Sequence, residues 1–385
     1  MTFRDRIAVT GPKKLLSLDG GGIRGLITIE ILARIEGVLR DTLGLKRLVL
    51  ADYFDYVAGT STGAIIGTFV ALGMPVDQIR EAYVKRAREM FSPSRVLQRF
   101  QNRYVSANLE RILKSMLGEM TLGSDALQTL LLLVMRNATT DSPWPISNNP
   151  QALFNDPASP HCNLKLPLWQ LVRASTAAPI YFPPEVIDIG GQRFIFVDGA
   201  VTMYNNPAFL LFLMATLEPY KLRWPTGEDN LLVISVGTGL SCQANANLKT
   251  GQMNFLYTAG SVPAALIYSA QMEQDKLCRI FGKLRAGDAL DAEIGDLGEA
   301  VRSYGPKLFT YMRYNVALAR EALDALGLAD IREEDVRPLD CVDRIEELQR
   351  VGRAVAERQV DVAHFAGFLT APNIRPSRDA TGVEG

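Results

Sequence analysis

A chain of 385 residues, 48% hydrophobic and 22% charged, has a globular composition, which excludes a disordered or fibrous protein. Its net charge of -1 supplies no global field for a nucleic acid polymer or an anionic surface.

In chain order, residues 13–19 read as a short buried strand, and a glycine-rich turn follows, Gly20-Gly21-Gly22-Ile23-Arg24-Gly25. Leu26, Ile29, Ala33 and Val38 then recur at helical spacing to about Leu43. A second strand, turn and helix come next: residues 53–58 approach a turn at Gly59, and the small apolar segment 62–72 suits a tightly packed helix. Met74-Pro75 ends it, and residues 76–90 predict an amphipathic helix. Residues 130–136 predict a core strand, and 137–160, rich in Asn, Ser, Asp and Pro, a long surface loop. Residues 168–178 read as a helix stopped by Pro179, 192–197 as a strand ending at Asp198-Gly199, and 231–236 as a strand closed by Gly237-Thr238-Gly239. The stretch 260–368 is mostly helical by pattern, and 371–385 reads as a loose polar tail.

Strands alternating with helices predict an α/β fold of three layers, α/β/α, with a mostly parallel central sheet and a helical C-terminal third. The expected organisation is one domain over 1–370, with a motif-bearing core at 13–240 and a helical extension at 260–368. Residues 1–14 lack the apolar core and cleavage pattern of a signal peptide, and the apolar runs 130–135 and 209–217 are too short to span a bilayer. The expected location is the cytoplasm, with peripheral contact at the inner membrane surface. Cys162, Cys242, Cys278 and Cys341 are far apart and form no C-x-x-C pair, so free thiols are expected. No cluster has metal-ligand spacing, and neither metal nor cofactor is expected.

Three motifs carry chemistry. Gly59-Thr60-Ser61-Thr62-Gly63 is a G-x-S-x-G between a predicted strand and a small-residue helix, the context of a nucleophile elbow. Its glycines let the backbone bend and let strand and helix pack closely, lifting the Ser61 hydroxyl out of the sheet at a helix N-terminus. In Asp19-Gly20-Gly21-Gly22-Ile23-Arg24-Gly25, consecutive glycines let several amides face one point, a nest for a phosphate or an oxyanion. No Gly-Lys-Ser/Thr follows, which argues against a P-loop. In Phe196-Val197-Asp198-Gly199-Ala200, a strand ends in a carboxylate. Only His161 and His364 could complete a Ser-His-Asp triad, and neither sits in a motif, so Asp198 is the obvious base for Ser61.

Taken in that order, the motifs resemble the patatin-like phospholipases, a family marked by D-G-G-G-x-R-G, G-x-S-x-G and D-G-[GA]. Residues 174–184 and 234–239 match its habits as well, and the resemblance covers 15–239. It implies hydrolysis of fatty acyl esters of membrane glycerophospholipids by a Ser61-Asp198 dyad. Gly20, Gly21, Gly22 and Thr62 would supply the oxyanion hole, and Gly25, Gly59, Gly63 and Gly199 the motif glycines. Arg24 has two readings of equal weight: holding a phosphate or steadying the oxyanion loop, and a structural salt bridge. Loop 137–160 with Trp144, and the segment Ile180-Tyr181-Phe182, are candidates for lipid contact, although core packing suits Tyr181 and Phe182 better. Residues 137–145 and 311–316 are similar to bacterial members of the family, some of them anti-phage effectors switched on by a cyclic nucleotide. That likeness admits a cyclic nucleotide activator, bound by the C-terminal third, and a homo-oligomer. Two alternatives stay open: another acyl-ester hydrolase or acyltransferase, and a nucleotide-binding sensor with an idle serine.

Overall fold

The computed structural model describes residues 2–91, 102–179, 181–241, 255–291, 293–298 and 305–369. The chain threads α1 (Phe3–Ala8), β1 (Lys13–Leu18), α2 (Gly25–Leu43), α3 (Leu50–Tyr53), β2 (Tyr56–Thr60), α4 (Thr62–Ala71), α5 (Val76–Phe91) and α6 (Asn102–Leu117). Next come β3 (Leu130–Asn137), β4 (Ser142–Ser147), α7 (Leu168–Ser175), β5 (Glu185–Ile189), β6 (Gln192–Asp198), α8 (Ala208–Thr216) and β7 (Leu231–Val236). Last are α9 (Phe255–Phe281), β8 (Gly282–Ala286), β9 (Phe309–Tyr314), α10 (Arg320–Ala325), α11 (Glu333–Val336) and α12 (Ile345–Gln359).

Nine strands form one sheet in the order β5-β6-β3-β2-β1-β7-β9-β8, with β4 also paired to β3. The run from β3 to β8 is parallel; β4 and β6 pair antiparallel with β3, and β5 pairs antiparallel with β6. β1, β2, β7 and β9 are buried along their whole length, as strands covered on both faces must be. The two faces of β9 show what covers them. Phe309 lays its ring 4.6 Å from that of Phe212 on α8, and Tyr311 donates to Asp275 on α9 at 3.0 Å. Tyr314, of opposite parity, meets His364 at 3.1 Å on the far side. The α/β architecture with a mostly parallel sheet is as expected.

Three sequence expectations need correction. Residues 137–160 are not all loop, because β4 lies within them as a hairpin partner of β3. Pro143 and Pro145 disguise it; they are tolerated because β4 pairs on one side only. The turn is closed by Asn137, whose side-chain oxygen accepts from the amides of Thr139 at 2.9 Å and Thr140 at 3.1 Å. The C-terminal third contains the expected helices, but β8 and β9 run among them and extend the sheet. Finally, Tyr53 closes α3, and β2 begins only at Tyr56. The expected tail, 371–385, lies outside the described residues.

Candidate active site

β2 and β6 meet head-on against β3. β4 occupies one edge of β3 from Leu132 to Asn137, so β2 and β6 share the other. Thr60 stands opposite Val134 and Asp198 opposite Met135, so the two chains approach from opposite directions and end on adjacent rungs. β2 cannot continue, and at Ser61 the backbone leaves the sheet with φ 55° and ψ -122°. A non-glycine residue held there costs on the order of 1–3 kcal/mol, which the surrounding structure must impose. Gly59 and Gly63 make the turn feasible: a Cβ on Gly59 would lie 2.1 Å from the Gly63 carbonyl oxygen, and one on Gly63 2.2 Å from that of Leu18. Behind the elbow, the Ser61 amide donates to Ser175 Oγ at 3.0 Å, and Ser175 donates to the Val134 carbonyl at 2.6 Å.

This collision brings the two predicted residues together. The Ser61 hydroxyl donates to Asp198 Oδ2 at 2.7 Å, and Asp198 Oδ1 accepts the Ala200 amide at 2.7 Å. Asp198 is 1% exposed. Burial raises its pKa to about 6, against the opposing pull of the Ala200 amide, the Ser61 hydroxyl and the Arg173 charge. Such a carboxylate is a stronger base than one in water, and it faces a hydroxyl at proton-transfer distance.

The glycine nest follows β1 and faces the elbow, but its members differ. The Gly20 amide already donates to the Asn205 carbonyl at 3.1 Å, which corrects the expectation that it is free for an oxyanion. Gly20 serves close approach instead, since a Cβ there would lie 2.3 Å from Asn205 Oδ1 and 3.2 Å from Ser61 Cβ. The Gly21 and Gly22 amides have no acceptor among the described residues, and neither has the Thr62 amide in the first turn of α4. Tyr83 joins nest and elbow: its hydroxyl donates to the Gly22 carbonyl at 2.7 Å and accepts from the Thr62 hydroxyl. Thr238 Oγ1 donates to the Gly20 carbonyl at 3.0 Å.

Arg24 points away from solvent, 8% exposed, and its Nη1 donates to the Arg337 carbonyl at 3.2 Å. Burial lowers its pKa to about 10, and no carboxylate pairs with it among the described residues, so the salt-bridge expectation fails. Together with the Ile23 amide, which donates to the Leu339 carbonyl at 2.9 Å, it braces the glycine turn against residues 337–339.

Sequence reasoning passed over several residues that hold these groups: Tyr83, Ser175, Asn205, Gln271 and Arg313. Asp19 is fully buried, and both its oxygens accept from Arg313, at 2.9 and 2.6 Å, with Gln271 of α9 adding a third donor at 3.2 Å. Burial works against the Arg313 charge, but the Asp19 carboxylate outweighs it and holds the guanidinium more firmly protonated than usual. Ser175 and Arg313 stand in stretches whose family likeness was visible; Tyr83 had no signal beyond an amphipathic helix.

Other expected residues fall elsewhere. Trp144 packs between Phe194 and Phe196, with ring centroids 5.1 and 5.3 Å away. Tyr181 and Phe182 are half-buried, and Ile180 is outside the described residues. His161 lies on the surface beside Gly190, and His364 bonds Tyr314; neither touches Ser61 or Asp198. Cys162, Cys278 and Cys341 are free thiols, and Cys242 is outside the described residues. Among the described residues, no helix is long and apolar enough to cross a membrane, and no cluster could hold a metal ion.

Comparison with known proteins matches a family model described as "Patatin-like phospholipase" to residues 16–212. Patatin-like protein 1 of Arabidopsis thaliana is 29% identical over 77% of this chain and 81% of its own length. A cGAMP-activated phospholipase of Vibrio cholerae is 31% identical over 51% of this chain and 56% of its own, and one of Escherichia coli is 28% identical over 61% and 64%. The match thus spans less than two thirds of each of those two bacterial relatives.

Proposed function

This chain belongs to the patatin-like phospholipase family, and on that footing we propose that it is a lipid acyl hydrolase acting on acyl esters of membrane glycerophospholipids, with Ser61 as nucleophile and Asp198 as its base. The observation that carries the reading is the 2.7 Å hydrogen bond from the Ser61 hydroxyl to a buried carboxylate with a pKa raised to about 6.

Ser61 Oγ attacks the ester carbonyl carbon while Asp198 takes its proton. The carbonyl π pair moves onto oxygen, and the resulting oxyanion is held by the amides of Gly21, Gly22 and Thr62. Each such donor contributes on the order of 3 kcal/mol to lowering the barrier. Collapse of the intermediate breaks the bond to the alcohol, which leaves with the proton from Asp198. Water then attacks the acyl-serine, gives its proton to Asp198 and releases the fatty acid, and Ser61 recovers its proton. The amides need no reorganisation for this, because Tyr83, Thr238 and Asn205 fix the nest and Ser175 fixes the elbow. Arg24 steadies the nest from behind and is too buried to meet a head group directly.

Control by a cyclic nucleotide is part of this proposal, supported by the two bacterial relatives described as cGAMP-activated, as is peripheral action at a membrane. The test is release of fatty acid from fluorescent phosphatidylglycerol and phosphatidylethanolamine vesicles, with and without a panel of cyclic di- and trinucleotides. Turnover that disappears in Ser61→Ala supports the reading, and turnover that persists overturns it. Activity indifferent to every nucleotide removes the control and leaves the chemistry.

A further inference from the structure

A cavity of about 360 Å³ opens between the loop that follows Asp198 and helix α9. Ala200, Val201 and Met203 form one wall, and Leu266, Ile267 and Ala270 the other. Both walls are tied to the site. The Ala200 amide is the one that donates to Asp198 Oδ1 at 2.7 Å, so the cavity begins two residues from the proposed base. Gln271, the residue after Ala270, donates to Asp19 at 3.2 Å, so the helical wall is anchored at the start of the glycine nest. The interior is apolar, and polar side chains enter only through Thr202, Glu273 and Gln274. Its rim is apolar too: Val201 is 39%, Met203 57% and Leu266 64% exposed.

Such a lining cannot recognise a sugar, a phosphate or a nucleotide base, each of which needs several fixed polar partners. It suits a hydrocarbon chain, whose burial is favourable in proportion to the apolar area withdrawn from water. The volume lies in the range of sites that bury most of a small ligand. We infer that this cavity holds the acyl chain of the ester whose carbonyl reaches Ser61, and that residues 200–203 and α9 set the preferred chain length. This inference rests on the hydrolase reading above and assigns its acyl subsite. The exposed rim gives a chain drawn from a bilayer an apolar path into the cavity.

Two measurements test it. The first is kcat/KM for p-nitrophenyl esters from two to sixteen carbons. Wild type should gain up to about fourfold per methylene until the groove is full. Ala270→Trp, which fills the groove, should bring that plateau several carbons earlier and lower the ratio of sixteen-carbon to four-carbon kcat/KM at least tenfold. Leu266→Ser changes an exposed side chain and should lower the same ratio several-fold, so a folding failure of Ala270→Trp does not remove the test. The second is binding of a fluorescent sixteen-carbon fatty acid to Ser61→Ala, which should weaken at least tenfold when Ala270→Trp is added. An unchanged plateau, or undiminished fatty acid binding, overturns the assignment. If the groove variants lose binding to phosphatidylglycerol vesicles while chain-length preference is unaltered, the face is a membrane-docking surface and the acyl subsite falls. A wild type that cleaves no ester of any length, with or without the panel of cyclic di- and trinucleotides, refutes the hydrolase reading, and the fatty acid measurement still decides the groove.

Discussion

Arg313 grips Asp19 with both terminal nitrogens, at 2.9 and 2.6 Å, in a pair that is 4% and 0% exposed. Asp19 directly precedes the glycine nest, and Arg313 lies on β9, nearly three hundred residues later in the chain. The same guanidinium donates to Ser235 Oγ on β7 at 2.7 Å, so one side chain crosses β7 to reach the end of β1. The C-terminal third thus anchors the loop proposed to hold the oxyanion.

Removing both partners of such a pair should cost less than the two single removals added together. Arg313→Met leaves the Asp19 carboxylate buried and unpaired, for which the expected loss is about 3–5 kcal/mol. Asp19→Asn leaves the arginine in the same position. Combined, the two substitutions should recover part of the loss, giving a coupling energy of at least about 1 kcal/mol in a double-mutant cycle. Urea denaturation of the four proteins measures it. Additive losses would mean that the pair contributes only as two independent side chains.

How much of this was visible beforehand follows from range. The elbow, nest and Asp198 were legible because each is a local device, in which glycines permit one backbone geometry within a few residues. What collides with what was not. That β6 runs against β3 and stops on the rung beside Thr60 is a long-range pairing, and nothing near Asp198 encodes it. The Gly20 amide looked free because its acceptor, the Asn205 carbonyl, is a backbone atom 185 positions away. β9 escaped notice because Tyr311 and Arg313 break the apolar run expected of a core strand, and only the fold supplies their partners, Asp275 and Asp19. β4 was hidden by two prolines that are harmless on a strand paired on one side alone.

If Asp198 is the base, activity must fall as it takes up a proton. With its pKa raised to about 6, kcat/KM should drop tenfold per pH unit below that value and level off above it. Burial lowers the pKa of His364 from its ordinary value, so His364→Phe is the control. The acid limb should survive that substitution unmoved. A limb that shifts with His364→Phe would transfer the titration to the histidine.

The raised pKa also has a stability consequence of definite sign. Asp198 binds its proton near pH 6 in the folded protein and near 3.9 in the unfolded chain. Between those values the native state holds more protons, so stability falls as pH rises through the window. The penalty is complete above about pH 6 and amounts to something on the order of 3 kcal/mol. Asp198→Asn should therefore be inactive yet more stable than wild type at pH 8, by about 1–3 kcal/mol after the loss of one carboxylate acceptor. The advantage should shrink as pH falls through the window and vanish near pH 3, below both values, where the carboxyl is neutral in the folded and the unfolded chain alike. Urea denaturation at the two pH values decides it, and an Asn variant less stable at pH 8 would contradict the desolvated carboxylate.

Tyr83 separates positioning from folding. Its hydroxyl bridges the Gly22 carbonyl and the Thr62 hydroxyl, so one oxygen fixes the spacing between the nest amides and the elbow amide. Tyr83→Phe keeps the ring, which is 2% exposed and lies 5.4 Å from that of Phe91, and removes only the bridge. Two buried polar groups lose their partner, at about 1–3 kcal/mol of stability. A purely structural role ends there, with the folded fraction as active as before. Because the amides stabilise charge that develops only in the transition state, a positioning role requires more: kcat of the folded enzyme should fall at least about tenfold, with KM changed less than about twofold. Thr62→Val, which breaks the bridge from the other end, should give the same split. A loss confined to KM, or no loss at temperatures where both variants are folded, would place the bridge outside the reaction.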